Sequence, residues 1–507
     1  MAYLKYLLCL FAWFSFHATV AAVTGGASSA PNITWGRCPP TIPPSVDCGT
    51  INVPLTYQKG NSTAAKGDDT VKLTLTRLNH TGKGEKQGVL FFNPGGPGAS
   101  AALLVAAGPF FPAVSFSSEI RDAYDVIGLD PRGVGQSTPV QCDPNMFSQR
   151  VKTFVNNQHD YDALFNYSRR LGESCAKLTG PLINYLDTIH VAKDHEVVRR
   201  ALGASKFNYL GISYGTLLGQ QFMSLFPRSV GRMALDAIVD HSQSEMATLL
   251  GETVAYETVL DVFFEWCDRN TTCALHGRNS SRVFDQILAR ADAAPIPAPS
   301  CSRTCRSNVT GEEIRYNVQS FLGFKDLDFG PNWIALGEAI AQASRGNATA
   351  LSTALPTGRV DNDPSGSPYS YLAIGCQDWL HRSRTAVDLR QKFISVLPFA
   401  PRTRGATQTY YYESTCIGWP APLNNPQGPL DDGIRYAPTV LLASSVYDPE
   451  CSITWAEGVR EQLPRRVSIT RNGPGHTSHY LKGETSKAMD RYLVTGKLPK
   501  DGTIYKT

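Results

Sequence analysis

The chain has 507 residues, of which 42% are hydrophobic and 18% charged, and its formal net charge is +4. This suits a globular protein with one large domain carrying an insertion, or two domains, and excludes a largely disordered one. No Lys/Arg run tracks a phosphate backbone, so nucleic acid is not an expected partner.

Lys5 precedes an apolar stretch, Tyr6–Phe14, and small residues follow at Thr19, Val20, Ala21 and Ala22. That order is the one of a secretory signal peptide, residues 1–22, cut after Ala21 or Ala22. The stretch is too short to cross about 30 Å of hydrocarbon, and no later segment reaches ~18 uninterrupted apolar residues. A membrane is therefore not an expected partner. Eight N-x-S/T sequons begin at Asn32, Asn61, Asn79, Asn166, Asn270, Asn279, Asn308 and Asn347, which fits a secreted, N-glycosylated protein. Without Cys9, eleven cysteines remain; close neighbours suggest the pairs 38–48, 142–175, 267–273, 301–305 and 376–416, leaving Cys451 over. None has a zinc-like Cys/His neighbourhood, so no metal is expected.

Along the mature chain, Val71–Leu78 alternates with period two and predicts a half-buried strand. Val89–Phe92 and Tyr124–Leu129 are short apolar runs, the pattern of strands buried on both faces. Phe207–Leu210, Arg232–Leu235 and Thr439–Ala443 repeat it, and Val467–Thr470 does so more weakly. Helices are expected over Asp194–Leu202 and Thr216–Phe226, the second closed by Pro227. Strand–helix alternation argues a mostly parallel central sheet with helices on both faces. The order breaks between about 241 and 430, which reads as an inserted, largely helical cap. The expected division is thus core 23–240, cap 241–430 and core again 431–507.

Gly211–Gly215 spells G-x-S-x-G between a strand and a helix. A serine at such a turn has its hydroxyl pushed out of the sheet, and the following amide, Tyr214 N–H, faces a developing oxyanion. This makes Ser213 the candidate nucleophile. Upstream, Asn93–Gly98 is a glycine-rich turn directly after a buried strand, and Gly96 N–H is the candidate second oxyanion donor. Asp448 and His476 follow later strands in the order Ser, acid, His expected of this turn. The imidazole would take the Ser213 proton, and Asp448 would fix its tautomer. His479 is a rival base, and Asp431 or Asp432 a rival acid; position after the strand favours His476 and Asp448. Asp130 and Arg132, in Asp130–Ser137, read as loop-holding residues.

These motifs, with the segments Cys376–Trp379 and Cys416–Pro420, resemble the tripeptidyl aminopeptidase-like branch of the prolyl aminopeptidase (S33) peptidases, within the α/β-hydrolase superfamily. The resemblance runs from about Trp35 to the C-terminus. It implies an α/β-hydrolase core with a helical cap, a triad of Ser213, Asp448 and His476, and no cofactor. It also implies cleavage near a free N-terminus, with cap carboxylates pairing with the substrate's ammonium. Glu245, Glu252, Glu257, Glu265 and Asp378 are the candidates, Glu252, Glu257 and Asp378 foremost, although no motif compels the role. Around Asp448–Cys451 the sequence departs from the family pattern.

The leading expectation is a secreted serine exopeptidase releasing short N-terminal fragments through an acyl-enzyme. The alternative is an esterase, lactonase or amidase with the same machinery and a small acyl substrate. A binding protein on a hydrolase scaffold is a third class, disfavoured by the intact Ser, Asp and His.

Overall fold

The computed structural model describes residues 31–326, 331–360 and 367–506. The signal-like segment and Cys9 lie outside the described residues. The strands are β1 (Thr34–Arg37), β2 (Val46–Pro54), β3 (Thr70–Leu78), β4 (Val89–Asn93), β5 (Asp125–Leu129), β6 (Phe207–Ile212) and β7 (Val230–Asp236). They continue with β8 (Ile296–Pro297), β9 (Asn308–Val309), β10 (Val440–Tyr447), β11 (Arg466–Pro474) and β12 (Thr503–Lys506). Ten of them form one sheet in the order β1-β2-β3-β5-β4-β6-β7-β10-β11-β12, while β8 and β9 pair as a separate short ribbon. The pairs from β5 through β12 are parallel, whereas β1, β2 and β3 add an antiparallel flank.

The pleat explains why the central strands are mostly apolar. Phe91, Phe207 and Tyr209 enter one hydrophobic cluster with Val191, Leu217 and Phe222. Their neighbours Leu90, Phe92, Leu210 and Ile212 point the other way, into a cluster with Ala488, Met489 and Leu493. Alternate side chains feed two cores, so these positions are apolar on both faces. The half-buried Asn208 near the start of β6 turns its amide to the neighbouring strands, donating to Val89 O and accepting Arg232 N–H.

Between β7 and β10 the chain builds mainly helices: Glu245–Arg269, Ser280–Ala293, Gly311–Leu322, Trp333–Ser344, Pro368–Asp378, Ala386–Val396 and Gln408–Thr415. The first four share a core of their own around Tyr256, Phe263, Phe284, Ile314 and Trp333. Tyr369, Leu372, Tyr410 and Tyr412, by contrast, join the cluster that covers the sheet. Disulfides close Cys38–Cys48, Cys142–Cys175, Cys267–Cys273, Cys301–Cys305 and Cys376–Cys416, the five pairs that sequence proximity suggested. Cys451 is free and buried.

Arg132 has the structural role expected of it. It is wholly buried, paired with Asp194 at 2.7 Å, and its remaining N–H groups donate to the carbonyls of Leu55, Tyr185 and Pro54. Tyr57 donates its hydroxyl to the same aspartate. Arg132→Met strands Asp194 as an unpaired buried charge and is expected to destabilise the fold by about 3–5 kcal/mol, read as a lower urea midpoint.

Candidate active site

The register brings the carboxyl ends of the parallel strands to one line. Asn93 lies beside Gly211, Ile212 beside Asp236, Asp236 beside Ala443, and Tyr447 beside Pro474. The loops leaving β4, β6, β7, β10 and β11 therefore share one crevice, the usual location of a site in a parallel sheet.

Ser213 sits between β6 and the helix Tyr214–Leu225 with φ 56° and ψ −125°, in the positive-φ region that a side chain rarely occupies. The turn is tight enough to dictate its glycines. A Cβ on Gly211 would lie 2.5 Å from the Gly215 carbonyl oxygen, and one on Gly215 would lie 2.6 Å from that of Asn93. Gly95, at φ +93°, is pressed against the same turn: a Cβ there would sit 3.1 Å from Tyr214 N. The glycine-rich loop after β4 thus lies on the first turn of the serine's helix. Tyr214 N–H is among the N–H groups that a helix start leaves without intrahelical partners. Gly96, Ser213 and Tyr214 all line the same cleft.

His476 Nδ1 is 2.9 Å from both carboxylate oxygens of Asp448. Asp448 Oδ1 also accepts the N–H groups of Glu450 and Cys451, each at 2.9 Å, so the acid is locked by its own turn. Burial opposes charge on the imidazole, yet Asp448 and Glu450 outweigh it and raise its pKa to about 9. The Nε2 edge faces Glu450 Oε2 at 3.6 Å. Ser213 Oγ has Cys451 Sγ at 3.9 Å. Among the described residues, no direct hydrogen bond joins Ser213 to His476. Burial and the two carboxylates push the Cys451 thiol well up, which keeps it neutral and unsuited to be a second nucleophile.

The rivals are placed elsewhere. His479 is buried against Phe92 and Phe116, neither ring nitrogen has a partner, and burial drives its pKa well down. Asp431 caps a short 3₁₀ turn through Gly433 N–H, and Asp432 begins that turn.

Residues 88–400 match a family described as the alpha/beta hydrolase fold. The chain belongs to the α/β-hydrolase family. Residues 403–504 of this hydrolase match a second description, TAP-like protein. It is 28% identical over 500 residues to a tripeptidyl aminopeptidase of Streptomyces lividans, covering 94% of this chain and 87% of that one. It is 27% identical to the serine protease Hip1 of Mycobacterium tuberculosis, covering 91% and 87%. A carboxylesterase B of Mycobacterium tuberculosis is also 27% identical, covering 94% and 90%.

The hydrolase's cleft is narrow, with about 30 Å³ of room for water-sized occupants, and it is walled by Glu252, Trp379, Tyr412, Glu450 and Trp455 beside Ser213. Of the three foremost carboxylate candidates, Glu252 alone lines it. Glu252 accepts from Gln319 Nε2 and from the N–H groups of Gln408 and Thr409, and burial raises its pKa against those donors. Glu257 instead accepts the N–H groups of Arg402 and Thr403 and pairs with Arg402. Asp378 accepts from the Thr188 N–H and hydroxyl and from Asn425, and burial with nearby Asp187 raises its pKa to about 7. Thr188 in turn meets the Tyr214 hydroxyl, so Asp378 reaches the cleft wall only indirectly.

Sequence reasoning missed three residues. Glu450 shares the cleft and the imidazole, and proximity to Asp448 was its only signal. Asp236 accepts the N–H groups of Ser478 and His479 at 2.7 Å each, and Arg471 donates to the carbonyls of Pro474 and Gly475. These two brace the histidine loop from below.

Proposed function

We propose that this protein is a secreted serine hydrolase whose nucleophile is Ser213, with His476 as base, Asp448 as its orienter, and the Gly96 and Tyr214 N–H groups as oxyanion donors. The single observation that carries the reading is convergence: a strained serine, a glycine-rich loop and a carboxylate-bound imidazole meet at one line of strand ends. Ser213 would attack a carbonyl, His476 would pass its proton to the leaving group, and water would release the acyl-enzyme.

The preferred substrate is a peptide with a free N-terminus, from which short fragments are released. Glu252 and Glu450 put two carboxyl groups in the cleft beside Ser213. Burial raises the pKa of both, and a substrate ammonium resting there would favour their ionised forms. The tripeptidyl aminopeptidase relatives support this choice, while the carboxylesterase relative keeps ester hydrolysis as the second reading. Five disulfides and eight sequons, none with a buried asparagine, support export and N-glycosylation of the mature core 23–240, cap 241–430 and core 431–507.

Hydrolysis of free and N-acetylated peptide amides, alongside short esters, tests the substrate. The free peptides are expected to be preferred, and equal rates on blocked ones would remove the exopeptidase reading. Glu252→Gln is expected to lower kcat/KM on free peptides by about 10- to 100-fold, the worth of one charged hydrogen bond, with little change on acetylated ones.

A further inference from the structure

The catalytic base candidate has a carboxylate on each edge. Asp448 holds Nδ1 at 2.9 Å, as an orienting acid does. Glu450 occupies the other edge, with Oε2 3.6 Å from Nε2, the nitrogen that has to receive the serine proton. Gln408 Nε2 donates to the same Oε2 at 3.1 Å and steadies it. Asp236, below the histidine loop, adds a third negative charge near the ring. Ser213, meanwhile, has the Cys451 thiol beside its hydroxyl and no bond to the imidazole. Glu450 and Glu252 both line the cleft that contains Ser213.

We propose that Glu450 is a positioning residue that makes the base available only to cationic substrates: it pairs with His476 Nε2 in the free enzyme and exchanges that pair for a substrate ammonium. The inference rests on the reading of Ser213 as nucleophile and His476 as base. In the free state the protonated ring is ion-paired with Glu450 across 3.6 Å, and the imidazolium cannot accept another proton. When an ammonium enters between Glu252 and Glu450, it replaces the imidazolium as the counter-charge of Glu450. The Nε2 proton passes to water, and the neutral Nε2 lone pair becomes free for the Ser213 hydroxyl. Charge is conserved, since one cation arrives and one proton leaves. A neutral or N-blocked substrate supplies no such cation and meets a protonated base. Recognition of the N-terminus and activation of the nucleophile become one event.

The direction is supported by the raised pKa of His476, to which Asp448 and then Glu450 contribute against burial. A base held protonated by Asp448 together with the Glu450 carboxylate is inactive at neutral pH and recovers as pH rises through about 9. Removing that carboxylate lowers the value, and each unit is tenfold in the neutral fraction.

The experiment follows Ser213 labelling by an uncharged alkyl fluorophosphonate between pH 5 and 10, in wild type, Glu450→Gln, Glu450→Asp and Ser213→Ala. Glu450→Gln is expected to move the labelling profile at least one unit to lower pH and to raise labelling at pH 7 about tenfold. It is also expected to shrink the preference for free over N-acetylated peptides. Glu450→Asp keeps the charge and should retain most of the wild-type profile. An unchanged labelling profile and an unchanged peptide preference in Glu450→Gln, with Ser213 still labelled, would overturn the role of Glu450 alone. Labelling that persists in Ser213→Ala would instead remove the nucleophile reading, and this inference with it.

Discussion

Ser213→Ala is expected to reduce hydrolysis by about 10³- to 10⁶-fold and to abolish fluorophosphonate labelling, with the folded state retained. The hydroxyl is the only group removed, and its side-chain partner among the described residues, the Cys451 thiol at 3.9 Å, is too weakly bonded to matter for folding. The strained backbone at φ 56° does not depend on the hydroxyl: it is imposed by the Gly211 and Gly215 contacts and by the Ser213 N–H donating to Asp236 O at 2.9 Å. Residual turnover would come from the oxyanion donors and from binding, which the mutation leaves in place. Initial rates on the best free peptide, with the thermal midpoint measured on the same preparation, check both halves. Activity within tenfold of wild type would assign the chemistry elsewhere.

What the sequence revealed of this site follows from how local each constraint is. The serine turn was legible because its glycines answer to backbone atoms a few residues away or on the adjacent strand, as Gly215 answers to Asn93. The central strands were legible because both faces are buried and the runs Val89–Phe92 and Val126–Leu129 carry no polar side chain. By contrast β2 was overlooked: Cys48 and Gly49 interrupt its alternation, and it pairs through backbone bonds to β1 and β3 that need no such pattern. β12 is a four-residue edge strand with too few positions to show a period. The carboxylates were the least legible. Glu257 and Asp378 bond to backbone more than 140 residues away, at Arg402, Thr403 and Thr188, so their sequence surroundings carry no sign of their partners. Glu252 is similar in kind, bonding to Gln408 and Thr409, and differs only in where the Glu245–Arg269 helix delivers it.

The same logic separates the two carboxylates on His476. Asp448→Asn is expected to lower kcat by about 10⁴-fold with KM little changed. Asparagine would keep one oxygen for the Glu450 and Cys451 N–H groups and turn its amide nitrogen toward Nδ1. An amide that donates to Nδ1 selects the tautomer protonated at Nε2, which has no lone pair for the serine proton. The loss of charge also lowers the imidazole pKa, so the acid limb of the pH–rate profile should move down even as the rate collapses. Glu450→Gln shares that downward shift but spares the Nδ1 contact, and its labelling at pH 7 should rise rather than fall. Two acids around one ring are thus distinguished by the sign of their effect: the Nδ1 partner creates the base, and the Nε2 partner withholds it. An Asp448→Asn enzyme that kept more than a tenth of wild-type kcat would remove the orienting role from Asp448.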